Sequence, residues 1–173
     1  MNAGGPIEAV SGQLLAWLDA HGQALEAQYV YTAWLDAKGP IEAVSAPWLA
    51  WVMRHGATRY ASHVYRSWFN SAGDFEPIRD SICAWLTIWH GEPDAVFVTR
   101  HLCKRHDLPE GVILAIANWS ATFAGHEDSL DRLATLLGHA HGETLSDAGF
   151  VKLIALTEDA TINHLAQERL TSV

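Results

Sequence analysis

Tryptophan returns at every seventeenth residue. Trp17, Trp34, Trp51, Trp68 and Trp85 stand on one arithmetic series, which Leu102, Trp119, Leu136, Leu153 and Leu170 continue through a sequence of 173 residues. The text around the ladder repeats as well: GPIEAVSGQLLAWLDAHG returns as GPIEAVSAPWLAWVMRHG, with QALEAQYVYTAWLDAKG between them. A fixed period of this kind marks a repeat architecture, in which each unit buries part of its apolar face and its neighbours bury the rest.

Numbering each repeat of seventeen from Pro6 gives the register. Position nine is Leu14, Tyr31, Trp48, Tyr65 and Ile82, position twelve is the ladder, and position thirteen is Leu18, Leu35, Val52, Phe69 and Leu86. Apolar residues at i, i+3 and i+4 make the stripe of an amphipathic helix, so each repeat predicts one helix. Position five alternates large and small through Val10, Ala27, Val44, Ala61, Ile78, Ala95 and Val112. Odd and even helices must therefore meet different surroundings, and the true unit is a pair of thirty-four residues. The expected fold is all-α: a right-handed α-solenoid of about five antiparallel helix pairs, or ten 17-residue helical repeats, forming a single domain over 1–173. Its units are 6–39, 40–73, 74–107, 108–141 and 142–173.

Punctuation supports this register. Gly22, Gly39, Gly56 and Gly73 close the first four repeats, where a glycine can take the left-handed conformation that ends a helix. Gly91, Gly125 and Gly142 recur one position later, which reads as a slip of the turn. Gly12 and Pro47 fall early in odd helices and predict that these are the shorter or broken ones, with Ser11 and Ser45 as N-caps. His21 and His55 precede a terminal glycine, where a helix C-terminus favours a donor. Asn163, Gln167 and Glu168 give the last pair a wet outer face, as expected of a terminal unit.

Eleven basic against twenty acidic residues leave a net charge of −9, which excludes a chain that neutralises phosphates over its whole surface. Two cysteines, Cys83 and Cys103, are too few for a disulfide framework and suit a reducing compartment. The N-terminus lacks the basic start and apolar run of a secretory signal. The longest uncharged run, Gly111 to Gly125, falls short of the roughly 20 residues a membrane-spanning helix needs. These features predict a soluble, cytoplasmic protein with no membrane partner.

In unit length and amphipathic pattern the chain resembles the HEAT, armadillo and tetratricopeptide repeat proteins. No Trp-x2-Leu-Gly-x2-Tyr signature occurs, so HEAT-like is the label the resemblance supports. It implies a binding scaffold. One unit, LPEGVILAIANWSATFAGHEDSLDRLATLLGHAHG (Leu108 to Gly142), looks like a repeat of transcription-activator-like effectors, with its Pro-Glu-x-Val start and His-Gly close. The likeness covers one unit of five, and the short Gly loop that reads a base in that family is replaced by Trp119-Ser120-Ala121-Thr122-Phe123.

Positions three, seven, ten and fourteen lie on the far side of each helix from the core stripe. In the even helices of the central units they are aromatic and basic on an otherwise acidic chain: Tyr29, then Arg59, His63 and Arg66, then Phe97, Arg100 and Lys104. No Asp or Glu occurs from Ala43 to Gly73, or from Ala95 to His106. A local reversal of charge sign beside aromatic anchors suits an acidic peptide or protein partner. The same residues also read as an ordinary solvated face.

Three other readings stay open at this point. Nucleic acid or a phosphate ligand would use the same stripe, although the acidic total makes nucleic acid a poor match. An inhibitor or immunity-type protein would act through its acidic surface, and self-association would use an exposed end of the repeat stack.

His101, Cys103 and His106 share one expected helix and His139 and His141 stand two apart, but no second ligand pair completes a zinc set. Cys103 also falls at a core position. No phosphate loop, nucleophile elbow or His-Glu-x-x-His motif occurs, so no enzyme, no metal and no cofactor is expected.

Overall fold

The computed structural model describes residues 7–105 and 108–123, together with residues 125, 126, 129, 135 and 155. The described residues form helices and turns without strands. In chain order these are α1 (Ile7–His21), α2 (Ala27–Asp36), α3 (Ser45–His55), α4 (Ala61–Asn70), α5 (Arg79–Trp89), α6 (Val96–Leu102) and α7 (Glu110–Thr122). Short 3-10 turns at Ile41–Ala43, Glu76–Ile78 and Pro93–Ala95 lead into α3, α5 and α6. No helix among these residues is long and apolar enough to cross a membrane. The chain divides into two compact units, Met1–Trp85 and Leu86–Val173.

Each described repeat of seventeen holds one helix, and most of the stripe is buried where the period places it, with Leu14 and Phe69 half-buried and Trp17 partly exposed. Tyr31, Trp48, Tyr65, Ile82, Thr99 and Ile116 at position nine are buried, as are Leu18, Leu35, Val52 and Leu86 at position thirteen. The alternating residues of position five, Ala27, Val44, Ala61, Ile78, Ala95 and Val112, are buried too. A fully buried Trp contributes about 4–6 kcal/mol of transfer free energy before any entropy is charged against it. That is why this series dominates the pattern. Ladder members Leu136, Leu153 and Leu170, and the polar Asn163, Gln167 and Glu168, lie outside the described residues.

The turn from each odd helix into the next even one has the same backbone bonds each time. Ala24 N–H donates to His21 O, Thr58 to His55, Glu92 to Trp89 and His126 to Phe123, at 2.8 to 3.0 Å. Three residues on, Ala27 donates to Ala24, Ala61 to Thr58, Ala95 to Glu92 and Ser129 to His126, at 3.0 to 3.1 Å. These successive i→i+3 bonds satisfy the first donors of the even helices, so α2, α4 and α6 start without any side-chain cap.

Four expectations are corrected. The odd helices are the longer ones: α1, α3, α5 and α7 have 15, 11, 11 and 13 residues against 10, 10 and 7 for α2, α4 and α6. Pro47 sits in the first turn of α3, where its missing N–H has no intrahelical partner to lose, and α1 runs on through Gly12. Ser11 lies inside α1, and Ser45 is the first residue of α3 rather than its cap, donating backwards to Glu42 O at 3.3 Å.

The turn does not slip at Gly91. His90 N–H donates to Leu86 O just as Gly22 does to Leu18 and Gly56 to Val52. Finally, no described glycine has a positive φ. The left-handed residues are Lys38 (φ 63°) and Ala72 (φ 61°). Gly39 and Gly73 follow them and donate to Trp34 O and Trp68 O at 2.9 Å, closing a Schellman turn whose left-handed residue comes one position earlier than expected.

What the glycines supply is space. A Cβ on Gly39 would lie 2.4 Å from the Trp34 ring, and one on Gly73 would lie 2.2 Å from Trp68. On Gly22 and Gly56 it would lie 2.7 and 2.5 Å from the hydroxyls of Tyr31 and Tyr65. Those hydroxyls donate to Gly22 O and Gly56 O at 3.0 Å. In the next unit the Tyr position holds Thr99, which is too short to reach, and the glycine position holds His90.

Candidate functional site

The outward stripe has to be judged from α2 and α4, which pack on each other within the first unit. Both helices turn their apolar side inward: Tyr31, Trp34 and Leu35 from α2, and Val64, Tyr65 and Trp68 from α4, are buried. The opposite side carries Tyr29, 69 % exposed, with Arg59 and His63 also exposed and Arg66 half-buried. Arg66 Nη2 donates to Asp36 Oδ2 at 3.2 Å, which ties α4 to α2 across this surface. Two further bonds run between the C-terminal ends of the pair, from Lys38 Nζ to Asn70 O at 3.4 Å and from Ser71 Oγ to Leu35 O at 3.2 Å.

Tyr29, Arg59, His63 and Arg66 are thus brought to one helix pair. The Arg66 charge is partly offset by Asp36, a pairing between two helices that the spacing within either one does not reveal. In the second unit Phe97 on α6 is half-buried, Arg100 on the same helix is exposed, and Lys104 just beyond it is exposed.

The tryptophan ladder splits into two kinds of contact. In the even helices Trp34 Nε1 donates forward to Pro40 O at 3.0 Å and Trp68 Nε1 to Asp74 O at 2.8 Å, pinning each helix to its own exit turn. In the odd helices Trp51 donates back to Ala24 O at 2.9 Å, Trp85 to Thr58 O at 2.8 Å and Trp119 to Glu92 O at 3.2 Å. Each of these three indoles reaches twenty-seven residues back, to the turn of the preceding pair. His55, one helical turn after Trp51, places Nε2 2.9 Å from the neighbouring carbonyl of Gln23, in the donor role a carbonyl requires. Trp51 and His55 therefore hold two successive carbonyls of one turn. This corrects the reading of His55 as a cap of its own helix. The signal was available in the sequence as Trp-x-x-x-His-Gly, written once in α1 and once in α3.

The remaining chemistry-bearing residues are tied into the fold. Burial pushes the Tyr31 phenol up to about 12, and the Tyr65 phenol is raised for the same reason. The Cys83 thiol is pushed up, first by burial and then by Asp80, the opposite of what an activated nucleophile requires. Cys103 is buried, with Sγ 3.4 Å from Arg100 O. Among the described residues no three metal-ligating side chains come together; His106, His139 and His141 lie outside them. No protein-family model, no curated protein and no solved structure matches the chain.

Proposed function

We propose that this chain is an interaction scaffold, an α-solenoid of thirty-four-residue helix pairs that holds an acidic peptide or protein segment on the outward face of its even helices. The solenoid reading is supported by the turn that recurs with the same backbone bonds from His21–Ala27 to Phe123–Ser129, and by indoles that link the first three of these turns to the next odd helix. The observation that carries the binding reading is the α2–α4 surface. A large aromatic, Tyr29, stands in solvent on the same helix pair as Arg59 and His63, and Arg66 is already held in place by Asp36. An exposed aromatic anchor beside pre-positioned cations favours a partner with a carboxylate-rich, partly apolar segment. Phe97, Arg100 and Lys104 offer the same chemistry on the second unit.

Asp36 partly neutralises Arg66, so this surface carries less net positive charge than a groove that tracks a phosphate backbone needs. The test is selection of peptides from a displayed library, followed by titration of the best binder. Charge reversal at Arg59 and Arg66 together should weaken binding more than about tenfold, or 1.4 kcal/mol. The same reversal at Arg54, exposed on α3, should leave it within about twofold. Equal losses from both, or a selection that returns no acidic sequences, would remove the assignment. A steep loss of affinity with salt would instead favour phosphate ligands.

A further inference from the structure

A second aromatic on the same helix pair restricts the shape of any segment bound there. Tyr60, the residue before α4, is 56 % exposed, against 69 % for Tyr29 on α2. The stripe at positions three, seven, ten and fourteen omits it, since it lies at position four of its repeat. The two helices run side by side in one direction, with Lys38 on Asn70 O and Ser71 on Leu35 O at their C-terminal ends. Tyr29 and His63 are counterparts thirty-four residues apart, and Tyr60 stands one helical turn before His63. With packed axes about 9 Å apart and a rise of about 4.5 Å over three residues, the two tyrosines lie about 10 Å from each other.

That spacing selects among backbone conformations. A polyproline II segment advances about 3.1 Å per residue with three residues per turn, so side chains three apart share one edge at about 9 Å. A β-strand brings side chains to one face two or four apart, at about 7 or 13 Å. A helix covers the span only over seven residues, with an apolar residue at i+3 or i+4 between the ends. Among the described residues α2 and α4 expose no third large apolar side chain to receive it.

Charge is divided by the line that joins the tyrosines. His63 and Arg66 follow Tyr60 on α4 and lie on its C-terminal side, whereas the exposed Glu26, one turn before Tyr29 on α2, lies on the other. Arg59 adjoins Tyr60 at the α4 end. A segment crossing from α2 to α4 therefore meets cations along one edge and a carboxylate along the other.

We infer that the segment held here is an acidic polyproline II stretch with two prolines three residues apart, one seated on Tyr29 and one on Tyr60. One of the two intervening residues is a carboxylate facing His63 and Arg66. The inference rests on the peptide reading above and narrows it. Stacked aromatic side chains suit a proline-rich segment, because its backbone is extended before it binds and loses little entropy on docking.

The experiment is fluorescence anisotropy of labelled acidic peptides titrated with the full chain. Three peptides share one composition and place two prolines two, three or four apart; a fourth, helix-forming and equally acidic, places two leucines seven apart. The three-apart peptide should bind about tenfold tighter than the others. Tyr29→Ala and Tyr60→Ala should each weaken it about tenfold, and Tyr60→Phe, which keeps the ring, should bind within about twofold of wild type. Both tyrosines are largely in solvent, and far-UV circular dichroism checks that the variants keep their helices. Equal affinity for all four peptides, lost in Arg59→Glu with Arg66→Glu, overturns the polyproline inference and leaves the acidic-peptide surface standing. Tightest binding by the helical peptide overturns it in the same way. Tyr60→Ala that binds like wild type overturns the second anchor, and a three-apart peptide that does not bind overturns the inference whatever acidic sequences the displayed library returns.

Discussion

Exchanging the roles of residues 72 and 73 separates the two explanations of the helix-ending glycines. Ala72 sits at φ 61°, a left-handed conformation that costs an L residue about 1–2 kcal/mol. Ala72→Gly should relieve part of that strain and stabilise the chain by about 0.5–1 kcal/mol, after the entropy that glycine adds to the unfolded state. Gly73→Ala acts in the opposite direction. The new Cβ would stand 2.2 Å from Trp68 Cε2 and 2.3 Å from Nε1, well inside van der Waals contact. The ring has little room to retreat: it is stacked on Trp48 at 3.9 Å with an interplanar angle of 12°, and Nε1 holds Asp74 O at 2.8 Å.

Displacing the ring forfeits that hydrogen bond, about 1 kcal/mol, and disturbs a stack worth about 0.5–1.5 kcal/mol. With overpacking of about 1–3 kcal/mol, the combined cost is about 2–4 kcal/mol. Urea unfolding followed by tryptophan fluorescence reads both changes. A denaturant slope near 2 kcal/mol per molar puts the Gly73→Ala midpoint about 1–2 M below wild type and the Ala72→Gly midpoint slightly above it. Gly91→Ala is the control, since nothing lies within 4 Å of its added methyl, and it should be neutral or slightly stabilising. If Gly73→Ala and Gly91→Ala shift the midpoint equally, the close approach of Trp68 is not what demands glycine.

Two further outcomes are expected. Burial raises the Tyr31 phenol to about 12 in the folded chain, above the ordinary tyrosine range, so the unfolded state loses its proton first as pH rises. Stability should be complete below pH ~10 and fall by about 1 kcal/mol from Tyr31 by pH ~11, with Tyr65 adding to the fall. Thermal melts of the wild type against Tyr31→Phe with Tyr65→Phe test this, and equal slopes above pH ~10 would refute it. The Asp36–Arg66 pair is solvent-accessible, so a double-mutant cycle should give a coupling below about 1 kcal/mol that shrinks in high salt. A larger, salt-insensitive coupling would mean the surface between α2 and α4 is far drier than its exposure implies.

Much of the helical organisation was legible because burial has a period. A helix returns a residue to the same face at i+3, i+4 and i+7, and this chain repeats the resulting stripe closely enough that the ladder positions could be named without coordinates. Trp34, Trp51, Trp68, Trp85 and Trp119 are all buried, and the large-small alternation from Val44 to Val112 is buried with them. Polar geometry had no such signal. The odd and even tryptophans look alike in sequence, yet an indole N–H at Trp68 finds an acceptor six residues ahead and one at Trp85 finds its acceptor twenty-seven residues behind. Trp17 occupies an odd-helix ladder position and remains partly in solvent.

The candidate surface divides in the same way. That Tyr29, Arg59, His63 and Arg66 face away from the core follows from helical spacing. That Arg66 is spoken for by Asp36, thirty residues earlier, depends on how α2 and α4 pack. The sequence alone determined that the described residues form helices and most of the residues those helices bury, since hydrophobic burial is non-directional and needs only the right spacing. Tertiary structure decided which donor meets which carbonyl, which residue takes the left-handed turn and how far each ladder tryptophan is buried. Hydrogen bonds and close contacts depend on distances of tenths of an ångström between segments that the chain's order does not place.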